Sequence, residues 1–432
     1  MKSLPYLIVG AGITGLSLAL SLQEQGKEFL LLEARDQAGG NIRSHSEEGF
    51  TYDLGPNTLL VRDPLVAELL HNLSLAGIAA NPIARRRFVL NRQNRLVALG
   101  PGALLGGKLL SLRARLHLLG EPFRARAHSE ESVATFVRRR LGSEVLDWMV
   151  DPFVSGVFAG DPERLSLSAS LPRLAQMEQE HGSLMLAGLR RKRPAVKSRL
   201  LSFPGGMQAL PRACAAKLGD KLRCNSAVTA IAPTANGWQV ESTTGTWETQ
   251  KLILCLPTDA IARILPSAAQ LLRDRLAAIE YPSVATLALG FHRRHVQHPL
   301  DGFGVLIPRR LGISTLGALF SSTLFPNRAP EGQVLLTIFL GGAREPLSGE
   351  EALVPQALHD LSPILGIEGE PSFQRVQIWS RAIPQYNLGH AQRINAIDNA
   401  LRDWPGLSLL GNWRGGVALG DCIRNGITAG QS

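Results

Sequence analysis

Tyr6-Leu-Ile-Val9 runs straight into Gly10-Ala11-Gly12-Ile13-Thr14-Gly15, and Leu16 to Gln25 then reads as a helix stopped by Gly26. A second apolar run, Glu28 to Glu33, follows. Strand, Gly-x-Gly-x-x-Gly turn, helix and strand, each at its expected length, make a βαβ unit of the kind that holds a dinucleotide. Gly10 permits the tight turn, Gly12 lets the backbone approach a pyrophosphate, and Gly15 lets helix and strand pack closely. The phosphates belong at the helix N-terminus, where free N–H groups and the dipole favour negative charge. Glu33 lies 18 residues beyond Gly15, at the end of the second strand, and is placed to accept from ribose hydroxyls.

Composition bounds what surrounds this unit. The chain has 432 residues, 45% of them apolar and 19% charged, enough for two or three domains with real cores. Net charge is +10, and residues 81–200 carry 21 Lys/Arg against 10 Asp/Glu, so the excess sits in the middle. Such a segment suits an anionic membrane or substrate. Nucleic acid is not expected, because aromatics are only 6% and no stacking pattern accompanies the arginines. Cys214, Cys224, Cys255 and Cys422 are far apart and have no histidine at ligand spacing, which speaks against a metal centre or redox dithiol and for a reducing compartment. Redox chemistry, if any, must come from an organic cofactor. No signal peptide is read at the start, and no run of 18 uncharged apolar residues suggests a membrane span.

Along the chain, residues 81–200 are helical by pattern. Residues 201–260 return to α/β texture, with a helix to about Lys217 and strands near 227–232, 238–243 and 251–256. Strands are predicted at Val284–Phe291, Gly304–Ile307, Val334–Leu340 and Leu407–Leu410, and a helix near 350–366. The fold class expected is α/β: a discontinuous nucleotide domain interleaved with a mixed-sheet domain, plus a helical insertion.

Three further segments specify the cofactor. Glu33-Ala34-Arg-Asp-Gln-Ala-Gly39-Gly40-Asn41-Ile42-Arg43 places a second glycine pair just after the acidic residue. Asp53-Leu-Gly55-Pro56-Asn57-Thr58 follows, and Gly411-Asn412-Trp-Arg-Gly-Gly-Val417-Ala418-Leu419 lies near the end. Together they resemble the flavin amine-oxidase superfamily. Asn412 stands where many flavoproteins carry Asp. Phe153-Val-Ser-Gly156-Val-Phe-Ala-Gly-Asp-Pro162, Ser202–Pro211, Gly302–Pro308, Phe325-Pro-Asn-Arg-Ala-Pro-Glu-Gly332 and Ala382–His390 narrow the resemblance to the protoporphyrinogen oxidases, over essentially the whole chain.

The resemblance implies a Rossmann-like FAD domain in three segments (1–80, 201–262, 379–432), a helical insertion (81–200) and a substrate domain (263–378). It implies non-covalent FAD held by Gly10, Ala11, Gly12, Ile13, Thr14, Gly15, Glu33, Ala34, Gly40, Asn41, Ile42, Arg43, Gly55, Pro56, Asn57, Thr58, Gly411, Asn412, Val417, Ala418 and Leu419, with Val228 and Trp379 against the flavin. Arg87 matches an arginine that pairs with a tetrapyrrole propionate, and Gly156 a glycine whose backbone faces the macrocycle. Thr286 stands where related amine oxidases carry a lysine near flavin N5. The activity implied is oxidation of protoporphyrinogen IX with dioxygen as acceptor. The alternatives are coproporphyrinogen III as substrate and a flavin-bearing, porphyrin-binding protein without turnover. The leucines 104, 105, 109, 110, 112, 116, 118 and 119, mixed with Lys108, Arg113 and Arg115, suit either peripheral contact of a cytoplasmic protein with the inner, anionic membrane face or an ordinary helix of the substrate domain, and the first is the expectation. A homodimer is compatible with this picture.

Overall fold

The computed structural model describes residues 3–100, 102–103, 107–190 and 198–431. Strand β1 (Ser3–Val9) leads into helix α1 (Ile13–Glu24) and strand β2 (Phe29–Leu32). The interior of α1 is buried almost all round, from Ile13 to Leu22, so this helix is core rather than surface. β1 lies between β2 and Gly245–Leu254, all parallel, with Leu407–Leu409 parallel beyond them. Gly237–Ser242 and Val228–Thr234 extend the sheet antiparallel, and Leu222–Arg223 flanks β2. The register aligns Val9 with Leu32 and Leu254, and Leu254 with Leu409. Four strand ends therefore deliver Gly10, Glu33, Cys255 and Gly411 to one edge, where the strand order switches direction about β1.

A second seven-stranded sheet runs Phe373–Trp379, Val284–His292, Gln333–Gly341, Gly317–Leu319, Gly304–Leu306, Phe88–Leu90 and Leu96–Ala98. One face packs Leu287, Leu289, Phe291, Leu336 and Ile338 against the helix Glu350–Leu365, through Leu353, Ala357, Leu361 and Leu365. The opposite face looks toward the first domain and the helices.

Two boundaries differ from the sequence reading. Residues 81–200 are not wholly helical: Phe88–Leu90 and Leu96–Ala98 close the second sheet, and Arg199–Ser202 pairs with Leu59–Val61 and Ile78–Ala79. Strands of two to four residues are too short to show a period of two. The helix Gln270–Ala277 belongs with the first sheet, not with the substrate domain, because Leu272 and Leu276, like Ile261 and Ile264 of the helix Thr258–Ile264, join the core that holds Leu7, Leu252 and Trp238.

The insertion is tied together by buried charge. Arg140, fully buried, pairs with Glu121 and Glu178 and donates to the carbonyls of Glu121, Arg124 and Gly182. Glu121 in turn accepts from Ser183 and from the amide of Leu184. Hydrogen bonds from Arg139 and Arg140 outweigh the cost of burial and hold Glu178 below the usual carboxylate range. Arg140→Met leaves Glu121 without a cation while Glu178 keeps Arg139, and removal of one partner of a buried ion pair costs about 3–5 kcal/mol. The expected result is a lower urea midpoint for proteolytic cleavage within 112–190, with unfolding of the first domain unshifted. An unchanged midpoint would show that the charges do not support the insertion.

Candidate active site

Each glycine of the first turn has a distinct physical reason. Gly10 has φ +100°, and a Cβ there would stand 2.6 Å from the Cys255 carbonyl oxygen. A Cβ on Gly15 would overlap the Gly10 carbonyl oxygen. At Gly12 a Cβ would meet nothing within 4 Å. The space over Gly12 is thus open while its neighbours are packed tight, as a pyrophosphate cradle requires. α1 has no acidic residue in its first turn, so its positive end stays uncompensated by the chain itself.

Glu33 is buried, and its carboxylate accepts from the Ala11 amide at 2.7 Å and the Arg35 amide at 3.0 Å. Each oxygen keeps a second lone pair for a ribose hydroxyl. Ser226 donates its amide to the Glu33 carbonyl at 2.8 Å, which brings the chain toward Val228 to this end. The Gly39 amide donates to the Ala11 carbonyl, and Arg35 Nη1 to the Gly40 carbonyl, so the second glycine pair closes on Ala11–Gly12. From there the track runs through Asn41 and Ile42 to Arg43, whose guanidinium lies 5.8 Å from the Trp379 ring centre. Burial, then the neighbouring Arg35, lowers the Arg43 pKa from its ordinary value. A Cβ on Gly55 would overlap the Asn41 carbonyl, and Trp379 Nε1 donates to Leu54 at 2.8 Å. Asn57 is turned back onto the Gly55 carbonyl.

The result is one extended groove from Val228 and Glu33, past Gly12, to Trp379. Trp379 and Val228 were both expected against the flavin. The structure separates them: Val228 stands at the Glu33 end and Trp379 beside Arg43 at the other. Gly411, Asn412, Val417, Ala418 and Leu419 close the groove from the start of the helix Leu419–Gln431. That helix packs on α1 so closely that a Cβ on Gly426 would overlap the Thr14 carbonyl.

This chain is similar over its full length to flavoenzymes. Residues 13–431 match the model of the flavin-containing amine oxidoreductases. The chain belongs to that family. It is an FAD-dependent oxidoreductase, and the groove fits the cofactor. Protoporphyrinogen oxidase 2, chloroplastic/mitochondrial, of Arabidopsis thaliana is 32% identical, over 98% of this chain and 92% of that protein. Coproporphyrinogen III oxidase of Bacillus subtilis (strain 168) is 29% identical, over 98% and 96%. A solved structure from Exiguobacterium sp. 255-15 superposes with TM-score 0.86 at 24% identity, covering 100% of this chain and 98% of that one.

Arg87 and Gly156 lie outside the groove: Arg87 directly precedes the strand Phe88–Leu90 of the second sheet, and Gly156 lies in the helix Asp151–Phe158. Leu306 pairs with Val89 in register, and both sit in the core of the helical insertion. Arg87, two residues before Val89, is on the same face. It is exposed, with its guanidinium 5.1 Å from the Phe303 ring centre. Gly156 also borders Leu306: a Cβ there would stand 2.5 Å from Leu306 Cδ2 and would displace the end of that side chain. Thr286 is buried, and register carries its row to the same place: Gln377, Thr286, Phe339, Gly317, Leu306, Val89. Three strand spacings separate Thr286 from Leu306, about 14 Å.

Sequence reasoning missed the pair that joins the two domains here. Asp53 lies 3.3 Å from Arg328, both almost fully buried, and it also accepts from Ser44 and the Met207 amide. Burial pushes Asp53 up, opposed by Arg328, Ser44 and Met207. Both residues stood in quoted motifs, but nothing local reveals a partner so distant in the chain.

Burial pushes the Cys214, Cys255 and Cys422 thiols up to about 12, so none is a thiolate ready to attach to a flavin. Purified protein is therefore expected to release intact FAD on heating, identified by chromatography; flavin that stays with the precipitate would contradict it. Gly12→Val should fold yet retain no FAD, since only the cofactor's space is filled. Gly15→Val should fail to fold, because the clash is with the backbone. The comparison is made by circular dichroism and flavin absorbance on both variants.

Proposed function

We propose that this protein oxidises protoporphyrinogen IX to protoporphyrin IX in haem biosynthesis, with dioxygen as the acceptor and hydrogen peroxide released. The observation that carries this reading is the row from Thr286 through Phe339 and Gly317 to Leu306. It offers a flat floor about 14 Å long, with Trp379 near one end and the guanidinium of Arg87 near the other. Its residues are apolar, small or uncharged, as a flat and largely apolar macrocycle needs. The Arabidopsis and Bacillus relatives, named for porphyrinogens, support the substrate class.

Bound FAD supplies the two-electron acceptor. What the chain supplies is orientation: it holds a bridging carbon of the substrate against the cofactor's reactive face and keeps water away. No carboxylate or histidine stands on the floor. Hydride loss from a porphyrinogen is assisted by its own pyrrole nitrogens, and their N–H protons leave afterwards, so a base is not required. Porphyrinogen and porphyrin differ by six electrons, so three passes consume three dioxygen and release three peroxide.

Among the described residues Arg87 pairs with no carboxylate, whereas Arg86, Arg309, Arg310 and Arg344 are engaged by Asp301, Glu345, Asp147 and Asp151. This sparing supply of free guanidinium favours a substrate with two carboxylates over the four of coproporphyrinogen III. Side-by-side turnover read by porphyrin fluorescence decides between them, and faster use of coproporphyrinogen III would overturn the choice. Arg87→Ala should lower kcat/KM for protoporphyrinogen by roughly 10- to 150-fold, the worth of a charge-assisted hydrogen bond, with FAD content unchanged. Lysine should restore only part, since it lacks the planar fork. Unaltered kinetics in Arg87→Ala would make it a surface arginine.

The reading extends to location: a cytoplasmic protein that touches the inner membrane face through the helix Leu112–Leu119 and the residues after it. Leu112, Leu116, Leu119 and Phe123 are 64%, 60%, 66% and 91% exposed, at the three- and four-residue spacing of one helical face. Leu109 and Leu110, counted toward this surface from the sequence, are buried in the insertion's core, and Leu104 and Leu105 lie outside the described residues. No helix among the described residues is long and apolar enough to cross a membrane. Each Lys or Arg near an anionic surface adds about 1 kcal/mol. Wild type should float with anionic liposomes and be only partly released by salt, and Leu112→Asp/Leu116→Asp should stay behind. Wild type that never floats would remove the membrane from the account.

A further inference from the structure

The segment Ala382–His390 was quoted for resemblance alone, without a role. It is the point where three parts of the molecule meet. The Ser166 amide donates to the Tyr386 carbonyl and the Leu388 amide to the Arg164 carbonyl, while Glu130 accepts from the Gly389 amide at 3.0 Å. These bonds reach the helical insertion. Gln385 donates its amide to the Glu280 carbonyl, beside the second sheet. The side chains of Tyr386 and His390 point the third way, into the loop that closes the cofactor groove.

That loop needs external support. Gly415 and Gly416 have φ +74° and +119°, conformations with little intrinsic preference to persist. The Tyr386 hydroxyl lies across its mouth, donating to the Asn412 carbonyl at 2.7 Å and accepting from the Gly416 amide at 3.0 Å. Tyr386 and His390 are both 4% exposed, and their rings stack with centres 4.0 Å apart and planes 13° from parallel. His390 Nδ1 is buried without a hydrogen-bond partner, so the ring serves the pair by stacking.

We propose that the stacked pair Tyr386–His390 is a positioning clamp for FAD: it holds residues 412–416 in the binding conformation, and the insertion braces it from behind. Neither residue touches the cofactor in this account; both act through the loop. Burial keeps the clamp uncharged. It raises the Tyr386 pKa above its ordinary value and lowers that of His390 to about 4, so the phenol remains a donor and the imidazole stays neutral through the physiological range.

The test is FAD affinity of apoprotein, read by quenching of flavin fluorescence, and it does not involve a porphyrinogen. Tyr386→Phe keeps the stacked ring and deletes the hydroxyl, leaving the Asn412 carbonyl and the Gly416 amide without partners. Two such hydrogen bonds are worth roughly 5- to 100-fold in binding, and the FAD Kd should rise by that factor. Tyr281→Phe is the control, a buried phenol that hydrogen-bonds Thr258 and not the loop. It should leave the Kd unchanged while matching any general loss of stability. His390→Phe, which keeps a ring stacked on Tyr386, should weaken FAD less than Tyr386→Phe. An unchanged Kd in Tyr386→Phe, or an equal rise in Tyr281→Phe, overturns the proposal. Either result would leave the choice of substrate untouched.

Discussion

A side chain on Gly15 would collide with the carbonyl of Gly10, and one on Gly426 with the carbonyl of Thr14. Both contacts bring backbone against backbone, which no rotamer change can relieve. Through the first, α1 lies directly on the turn that follows β1, with its N-terminus at the sheet edge. Through the second, the last helix of the chain lies on α1, so the end of the sequence returns to its beginning. The parallel register then aligns Val9, Leu32, Leu254 and Leu409. Both contacts therefore fix where Gly12 stands relative to the loop at Gly411–Gly416.

With that edge in place, the second sheet has one free choice, which face to turn toward it. Its other face is committed to Leu353, Ala357, Leu361 and Leu365 of the long helix. Alternation then sends Thr286, Phe339, Gly317 and Leu306 to the cofactor side together, since residues paired across strands share a face. The buried Asp53–Arg328 pair and the Trp379–Leu54 hydrogen bond attach this sheet to the first domain. Neither is a large contribution to stability once desolvation is counted. Their value is geometric, because a floor that moves by an ångström no longer presents a substrate carbon to the cofactor.

Much of the cofactor groove was legible in the residue order. The glycine turns, Glu33, Gly39–Gly40 and the closing loop are local chemistry: a positive φ, a close approach or a helix start demands particular residues at fixed spacing. FAD and the family followed from them. Short strands such as Phe88–Leu90 were not legible, since three residues cannot display a period. Nor was the division of leucines in 109–119, where Leu109 and Leu110 face the core while Leu112, Leu116 and Leu119 face out. A helix start at Ser111 sets that phase, and composition does not contain it.

The sequence by itself therefore determined what binds and at which turn, because each such requirement spans no more than a few consecutive residues. Only the tertiary structure decided that Val228 stands with Glu33 and away from Trp379, and that Asp53 meets Arg328. It alone brought Tyr386 onto a loop some 30 residues further on. Contacts between distant segments depend on how sheets stack and which faces they expose, and those are settled by burial of the whole chain at once.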